Sequence, residues 1–206
     1  MPRLYDYPAS QNGWKARALL ALLKRPYETV WVPIFSGQRD PAFLKLNPMG
    51  AVPVLELEDG RALAESHAVL VYLAEGTPYL PADEFERAEA LRWLFFEADY
   101  IQSSIATLRH WRLTGRADAN AASIPPREAT ARRVLACLET HLQERRFLAA
   151  DRLTVADISV YAYAHLAEEA GFPLAPYPAF RRWIERVQEA AAPLPPVNPY
   201  PPEAMG

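Results

Sequence analysis

One stretch, residues 47–76 (NPMGAVPVLELEDGRALAESHAVLVYLAEG), limits what this chain can fold into more than any other. Asn47-Pro48-Met49-Gly50 reads as a turn, because proline presets its own φ and glycine reaches conformations that other residues avoid. Val52 precedes Pro53 and is pushed to an extended backbone. Pro53 has no N–H for a ladder, which restricts it to a strand's first residue, an edge or a bulge. Residues 54–58 then read as a strand, Asp59-Gly60 as a two-residue hairpin turn and residues 61–64 as the returning strand. Glu65-Ser66 opens a helical run over 67–74 that Gly76 and Pro78 end. A carboxylate and a hydroxyl at a helix N-terminus can hold a small charged ligand, since the unpaired N–H groups and the positive end of the dipole point outward there. The same residues also serve as plain strand-entry and capping devices, a cap contributing about 1 kcal/mol.

The segments before this stretch prescribe its neighbours. Residues 3–7 alternate and are aromatic, which predicts a strand. After the loop 8–13, residues 14–24 form an apolar helical run for which Asn12 is the expected cap and Pro26 the stop. Residues 27–32, β-branched and aromatic, predict a second strand, so strand, helix and strand make a βαβ unit with parallel strands. Residues 41–46 read as a short helix with proline first. The sum is a four-stranded mixed sheet in βαβ-α-ββα order, a thioredoxin-like arrangement, over residues 1–76.

A two-proline connector, 77–82, leads to a part that reads as wholly helical, 83–192. One long helix is expected over 83–115, with Leu91, Leu94, Phe95, Ala98, Ile101, Ile105 and Leu108 on its inner face. A polar loop over 115–126 precedes a second long helix, 127–146, with Cys137 expected as a small core hydrophobe. Thr154 and Asp157 stand in capping-box spacing before a nearly all-apolar helix over 155–170. An amphipathic helix over 177–187 precedes a proline-rich tail, 193–206, that wraps the surface or is disordered.

Composition excludes several classes of function. Of the 206 residues 50% are hydrophobic, yet no apolar run approaches the about 20 needed to span a membrane. The formal charge of -3 gives no basic field for nucleic acid. The start has no secretory signal, and the single cysteine suits a cytoplasmic, reducing setting. His67, His110, His141 and His165 lack metal-ligand spacing, so no metal is expected.

From Leu4 to Val187 the chain resembles the cytosolic glutathione S-transferases. The resemblance rests on Asn47-Pro48-x-Gly50-x-Val52-Pro53-Val54-Leu55, on Leu63-x-Glu65-Ser66-x-Ala68-x-x-x-Tyr72-Leu73, and on Thr154-x-Ala156-Asp157-Ile158. It implies a thioredoxin-like domain followed by an all-α domain, usually as a homodimer with the active site between the domains and glutathione as co-substrate. It implies that Pro53 is a cis-proline, with the backbone of Val52 pairing with the cysteinyl part of glutathione. It gives Glu65 the ammonium and Ser66 the carboxylate of the γ-glutamyl end, and places Gln38 and Arg39 in the loop that reaches the glycyl carboxylate.

The first loop, Ser10-Gln11-Asn12, is similar to bacterial Ser/Asn members, including the Nu-like and YfcG-like disulfide-bond oxidoreductases. On that likeness Ser10 and Asn12 hold the sulfur as thiolate, with Tyr7 or Tyr5 as rival donors. Trp14, Phe35, Arg109, His110 and Trp111 are candidates to line a second-substrate pocket. Two departures stand out: no cysteine lies near the first helix, and Ala51 stands where many relatives carry Lys or Gln. Three functions follow from the resemblance: conjugation of glutathione to a hydrophobic electrophile, glutathione-dependent disulfide or peroxide reduction without an enzyme thiol, and a non-catalytic binding module.

Overall fold

The alternating residues Arg3–Asp6 form strand β1, which lies in the middle of a sheet of order β2-β1-β3-β4. The computed structural model describes residues 1–205, which divide into two units: Met1–Glu75 with Pro193–Ala204, and chiefly Gly76–Ala192. In the first unit β2 (Glu28–Trp31) runs parallel to β1, Leu4 facing Thr29. Strand β3 (Val54–Glu56) pairs antiparallel with β1, Leu4 facing Leu55, and with β4 (Ala62–Ala64), Val54 facing Ala64. Helices α1 (Gln11–Leu22), α2 (Pro41–Leu46) and α3 (Ser66–Ala74) complete the expected βαβ-α-ββα order.

Packing follows the apolar pattern. Leu4, Leu19, Leu20, Leu55, Val69 and Leu70 are buried, each side chain contributing about 1.5–3 kcal/mol by leaving water. Val32, Phe43 and Val54 form a second cluster with Tyr5, Ile34, Leu46, Val52 and Ala64 around them. Helix α1 comes very close to β1 where Gly13 stands: a methyl carbon at that position would lie 1.6 Å from Asp6 Oδ1. Asp6 is buried, accepts from the Tyr7 N–H at 2.7 Å and is ion-paired to Arg17.

The second unit is helical, with four departures from the expected pattern. The long helix does not keep one period: α4 (Glu84–Phe96) passes into a π-helical stretch, Glu97–Ala106, and then into α5 (Thr107–Leu113). Ser104 and Thr107 give their hydroxyls to carbonyls four and five residues back, Tyr100 and Gln102, competing with the backbone ladder there. Phe95 points outward, 73% exposed, and Ala98 is exposed, because the inner face runs through Ala90, Trp93, Leu94, Glu97 and Ile101, to one side of the expected set. A 3-10 turn, Asp118–Ser123, occupies the expected polar loop, and α6 (Ile124–Glu144) starts earlier than predicted. Cys137 is exposed on α6, because Val134, Leu135 and Leu138 define the inner face and residue 137 falls to one side of it.

The apolar helix is shorter than expected. Helix α7 (Val155–Ala164) gives way to turns with i→i−3 bonds, such as Leu166 to Tyr163 and Ala167 to Ala164, up to Gly171 at φ 86°. Its start is as predicted: Thr154 and Asp157 make a capping box. The Asp157 carboxylate is fully buried and also accepts from the Leu148 N–H and the Trp183 indole, both at 2.9 Å. Helix α8 (Pro178–Ala190) ends the unit.

Candidate functional site

Two helix N-termini meet in the first unit, and the residues at their ends are those singled out from the sequence. Helix α1 begins at Gln11, three residues earlier than predicted, so its cap is Ser10 and not Asn12. Ser10 Oγ accepts from the Gly13 N–H at 3.1 Å. A hydroxyl that accepts in this way keeps its proton for another acceptor. Among the described residues that proton has no recipient.

Asn12 lies inside the first turn. Its Oδ1 accepts from Lys15 Nζ at 2.9 Å and lies 3.4 Å from Oγ of Ser66, the first residue of α3. Lys15 is fully buried and its Nζ is also 3.3 Å from Nε2 of the half-buried His67. Side chains 54 residues apart are thereby joined at one point, Asn12 to Ser66. Two positive dipole ends and a buried ammonium make this corner favourable for an anion.

Glu65 precedes α3 with φ 70° and makes no side-chain cap bond. A non-glycine residue held in that region costs about 1–3 kcal/mol and is kept where the surroundings or a function demand it. Its carboxylate is exposed beside the buried Ser66. The Val52-Pro53 peptide bond is cis. Val52 lies two residues ahead of β3 and takes part in none of its ladder pairs.

The loop between β2 and α2 carries Gln38 and Arg39. Gln38 is exposed, and Arg39 binds backbone carbonyls: Nε to Gly50 at 3.0 Å, Nη2 to Ile34 at 2.6 Å and Nη1 to Pro33 at 3.2 Å. Arg39 thus ties its own loop to the turn at 47–50. Asn47 shapes that turn from within, accepting from the Met49 N–H at 3.1 Å and donating to the Ala51 carbonyl at 2.9 Å.

The tail, left open between wrapping and disorder from the sequence, packs on the first unit. Trp14 Nε1 donates to the Pro195 carbonyl at 2.9 Å, and Asn198 Nδ2 donates to the Pro8 carbonyl at 3.1 Å. Tyr200 meets Phe35 edge-on with centroids 6.2 Å apart, and the Tyr7 hydroxyl donates to Glu203 at 3.3 Å. Burial, and then the Glu203 carboxylate, push the Tyr7 phenol up to about 12. Tyr5 gives its hydroxyl to Glu56 at 2.8 Å. Both rival phenols therefore have carboxylate partners, whereas Ser10 keeps its proton.

Of the second-substrate candidates, Trp14 and Phe35 hold the tail. Arg109 and Trp111 belong to the second unit: Arg109 is buried with Nε 2.6 Å from Glu169, and the Arg127 guanidinium lies over the Trp111 ring at 5.1 Å. His110, on the same helix, is held below its ordinary value by burial and then by Arg116 and Arg109. Among the described residues no three His, Cys, Asp or Glu side chains gather as a metal site, and no helix is long and apolar enough to cross a membrane.

Sequence reasoning missed Lys15, His67 and the tail contacts. Lys15 had a signal, a lone lysine at i+3 from Asn12 in a helix otherwise rich in Ala and Leu. The tail had none, since prolines carry no periodicity that says what they pack against.

Residues 4–80 match the glutathione S-transferase N-terminal domain and residues 118–186 the C-terminal domain. Glutathione S-transferase 2 of Anopheles gambiae is 33% identical over 152 residues, covering 71% of this chain and 70% of its own. A probable maleylacetoacetate isomerase of Caenorhabditis elegans is 29% identical over 199 residues, 94% of this chain and 90% of its own. The crystal structure of a possible glutathione S-transferase from Rhodopseudomonas palustris superposes with a TM-score of 0.91 at 38% identity, covering 97% of this chain and 99% of that one.

Proposed function

The chain belongs to the glutathione S-transferase family, and from that premise we propose that it binds glutathione as the thiolate and transfers it to a hydrophobic electrophile. The observation that carries the reading is the contact of Asn12 with Ser66, which puts the N-termini of α1 and α3 at one corner. In this reading Ser66 and the α3 N-terminus take the γ-glutamyl carboxylate, and Glu65 takes the ammonium. The backbone of Val52 pairs with the cysteinyl residue, and the loop bearing Gln38 and Arg39 faces the glycyl end. The sulfur then lies at Ser10 and Asn12.

Lowering the thiol by two pKa units takes about 2.7 kcal/mol. One hydroxyl and one amide donor to a charged acceptor, with a helix dipole, supply that amount. The thiolate so formed is the nucleophile, and holding it against a bound electrophile supplies the rest by proximity. Trp14 is buried under the tail, which leaves the half-buried Phe35 and Tyr200 to meet the second substrate. The reading includes a cytoplasmic homodimer of the Ser/Asn kind.

The thiolate absorbance of bound glutathione, titrated against pH, tests it. The wild type is expected to show a thiol pKa well below that of free glutathione, and Ser10→Ala and Asn12→Ala each to raise it by about one to two units. An unshifted thiol in the wild type contradicts the reading. The C. elegans relative, matched over 94% of this chain, favours a second reaction class at the same site, glutathione-dependent isomerisation. Turnover of a chloronitrobenzene, a glutathione-linked disulfide and maleylacetoacetate, measured side by side, separates conjugation, reduction and isomerisation.

A further inference from the structure

We propose that Lys15 is a positioning residue for the reaction, its ammonium holding the Asn12 carboxamide so that the NH2 end is turned to the glutathione sulfur. The inference rests on the reading that Asn12 binds the thiolate, and it adds what makes Asn12 able to do so.

An ammonium only donates, so the Asn12 atom 2.9 Å from Lys15 Nζ has to be the carbonyl oxygen. Ser66 Oγ lies 3.4 Å from the same oxygen, but its single proton is the one the γ-glutamyl carboxylate takes when glutathione is bound, so the hold on the carboxamide falls to Lys15. The carboxamide is planar, and an oxygen held on one side sends the NH2 to the other. Without such a hold the last torsion of asparagine is broad and nearly two-fold, and the group presents oxygen or nitrogen to a ligand with little preference. An oxygen facing a thiolate repels it, whereas an NH2 stabilises it by a charge-assisted hydrogen bond. Which end faces the sulfur therefore decides whether Asn12 lowers or raises the thiol pKa.

Lys15 is itself fixed. It is fully buried, and its Nζ lies 3.3 Å from His67 Nε2 as well as 2.9 Å from the Asn12 oxygen. Asn12 and Lys15 are one helical turn apart, at i and i+3, so the pair is carried by α1 without help from any loop.

The test is the pKa of glutathione bound to Lys15→Met, Asn12→Ala and the double variant, each first shown by its melting curve to be folded. Lys15→Met is expected to raise the bound thiol pKa as Asn12→Ala does, by about one to two units. The double variant is expected to go no further than either single one, the signature of two residues acting through one donor. Saturating turnover should fall with the KM for glutathione little changed. A Lys15→Met protein with the wild-type thiol pKa, in a series where Asn12→Ala raises it, overturns the inference and leaves the glutathione site standing. An Asn12→Ala protein with the wild-type pKa overturns the role of Asn12 itself, and the inference with it.

Should Lys15→Met fail to fold, Asn12→Asp answers the question with Lys15 in place. That variant keeps an oxygen on the ammonium and lacks the NH2, so the bound thiol pKa should rise. A thiol pKa at the wild-type value in Asn12→Asp overturns the proposal.

Discussion

Gly13 shows two physical effects of opposite sign at one residue. In the first turn of α1 an alanine is intrinsically better than glycine by about 1 kcal/mol, and propensity alone favours replacing it. Packing says otherwise. A methyl carbon at residue 13 lies 1.6 Å from Asp6 Oδ1, and Asp6 cannot move aside because Arg17 and the Tyr7 N–H hold it. Overpacking of that kind costs about 1–3 kcal/mol, and parting a buried ion pair costs more. Gly13→Ala is therefore expected to lower the stability in urea by about 2 kcal/mol or more. A variant as stable as the wild type would show that β1 and α1 are not in contact as described. At the same scale Ser10 and Glu65 depart from what sequence alone suggests. Ser10 rather than Asn12 caps the helix, because the chain turns into α1 three residues early. Glu65 holds a left-handed backbone that no residue preference predicts.

Among the elements, α7 and the turns after it carry the clearest dependence on pH. His165 stacks on Tyr161 with centroids 4.0 Å apart, and burial holds its ring down to about 4, with the Tyr161 carbonyl opposing and Arg109 adding to the shift. An unfolded chain takes up that proton near 6.5. As pH falls from 6.5 towards 4 the unfolded state binds a proton that the folded state does not, so stability is intact above the window and is lost through it. The loss amounts to roughly 3 kcal/mol at most. His165→Gln is expected to flatten the fall in urea midpoint between pH 6.5 and 4, while His110 and His141, also lowered by burial, keep their own share. Equal slopes for variant and wild type would exclude this role.

The elements of the first unit were legible in the sequence because turn chemistry is local. Asp59-Gly60, the proline at the start of α2 and the Thr154–Asp157 box in the second unit each act within a few residues. The π-helical stretch and the end of α7 were not. Each depends on hydroxyls or a ring bonding to carbonyls four or five residues back, which a 3.6-residue period does not register. Cys137 and Phe95 lie in regular α-helix and were misplaced for another reason: a small error in helical phase moves a side chain from core to surface.

For the whole molecule, family membership and the four-stranded sheet were readable because three motifs stand in the order and spacing that the fold requires. The tail's place was not, because its hold on Pro8, Trp14, Tyr7 and Phe35 joins residues more than 160 positions apart with no shared pattern. The central claim is that the ends of α1 and α3 form a single glutathione site, with Ser66 as its anion contact. Calorimetric titration of glutathione into the wild type and into Ser66→Ala tests it most directly. One glutathione per chain is expected for the wild type, and an affinity roughly 10–100 times weaker for Ser66→Ala, the loss of a hydrogen bond to a charged group. A wild-type protein that takes up no glutathione, or a Ser66→Ala protein that binds it equally well, would contradict the account.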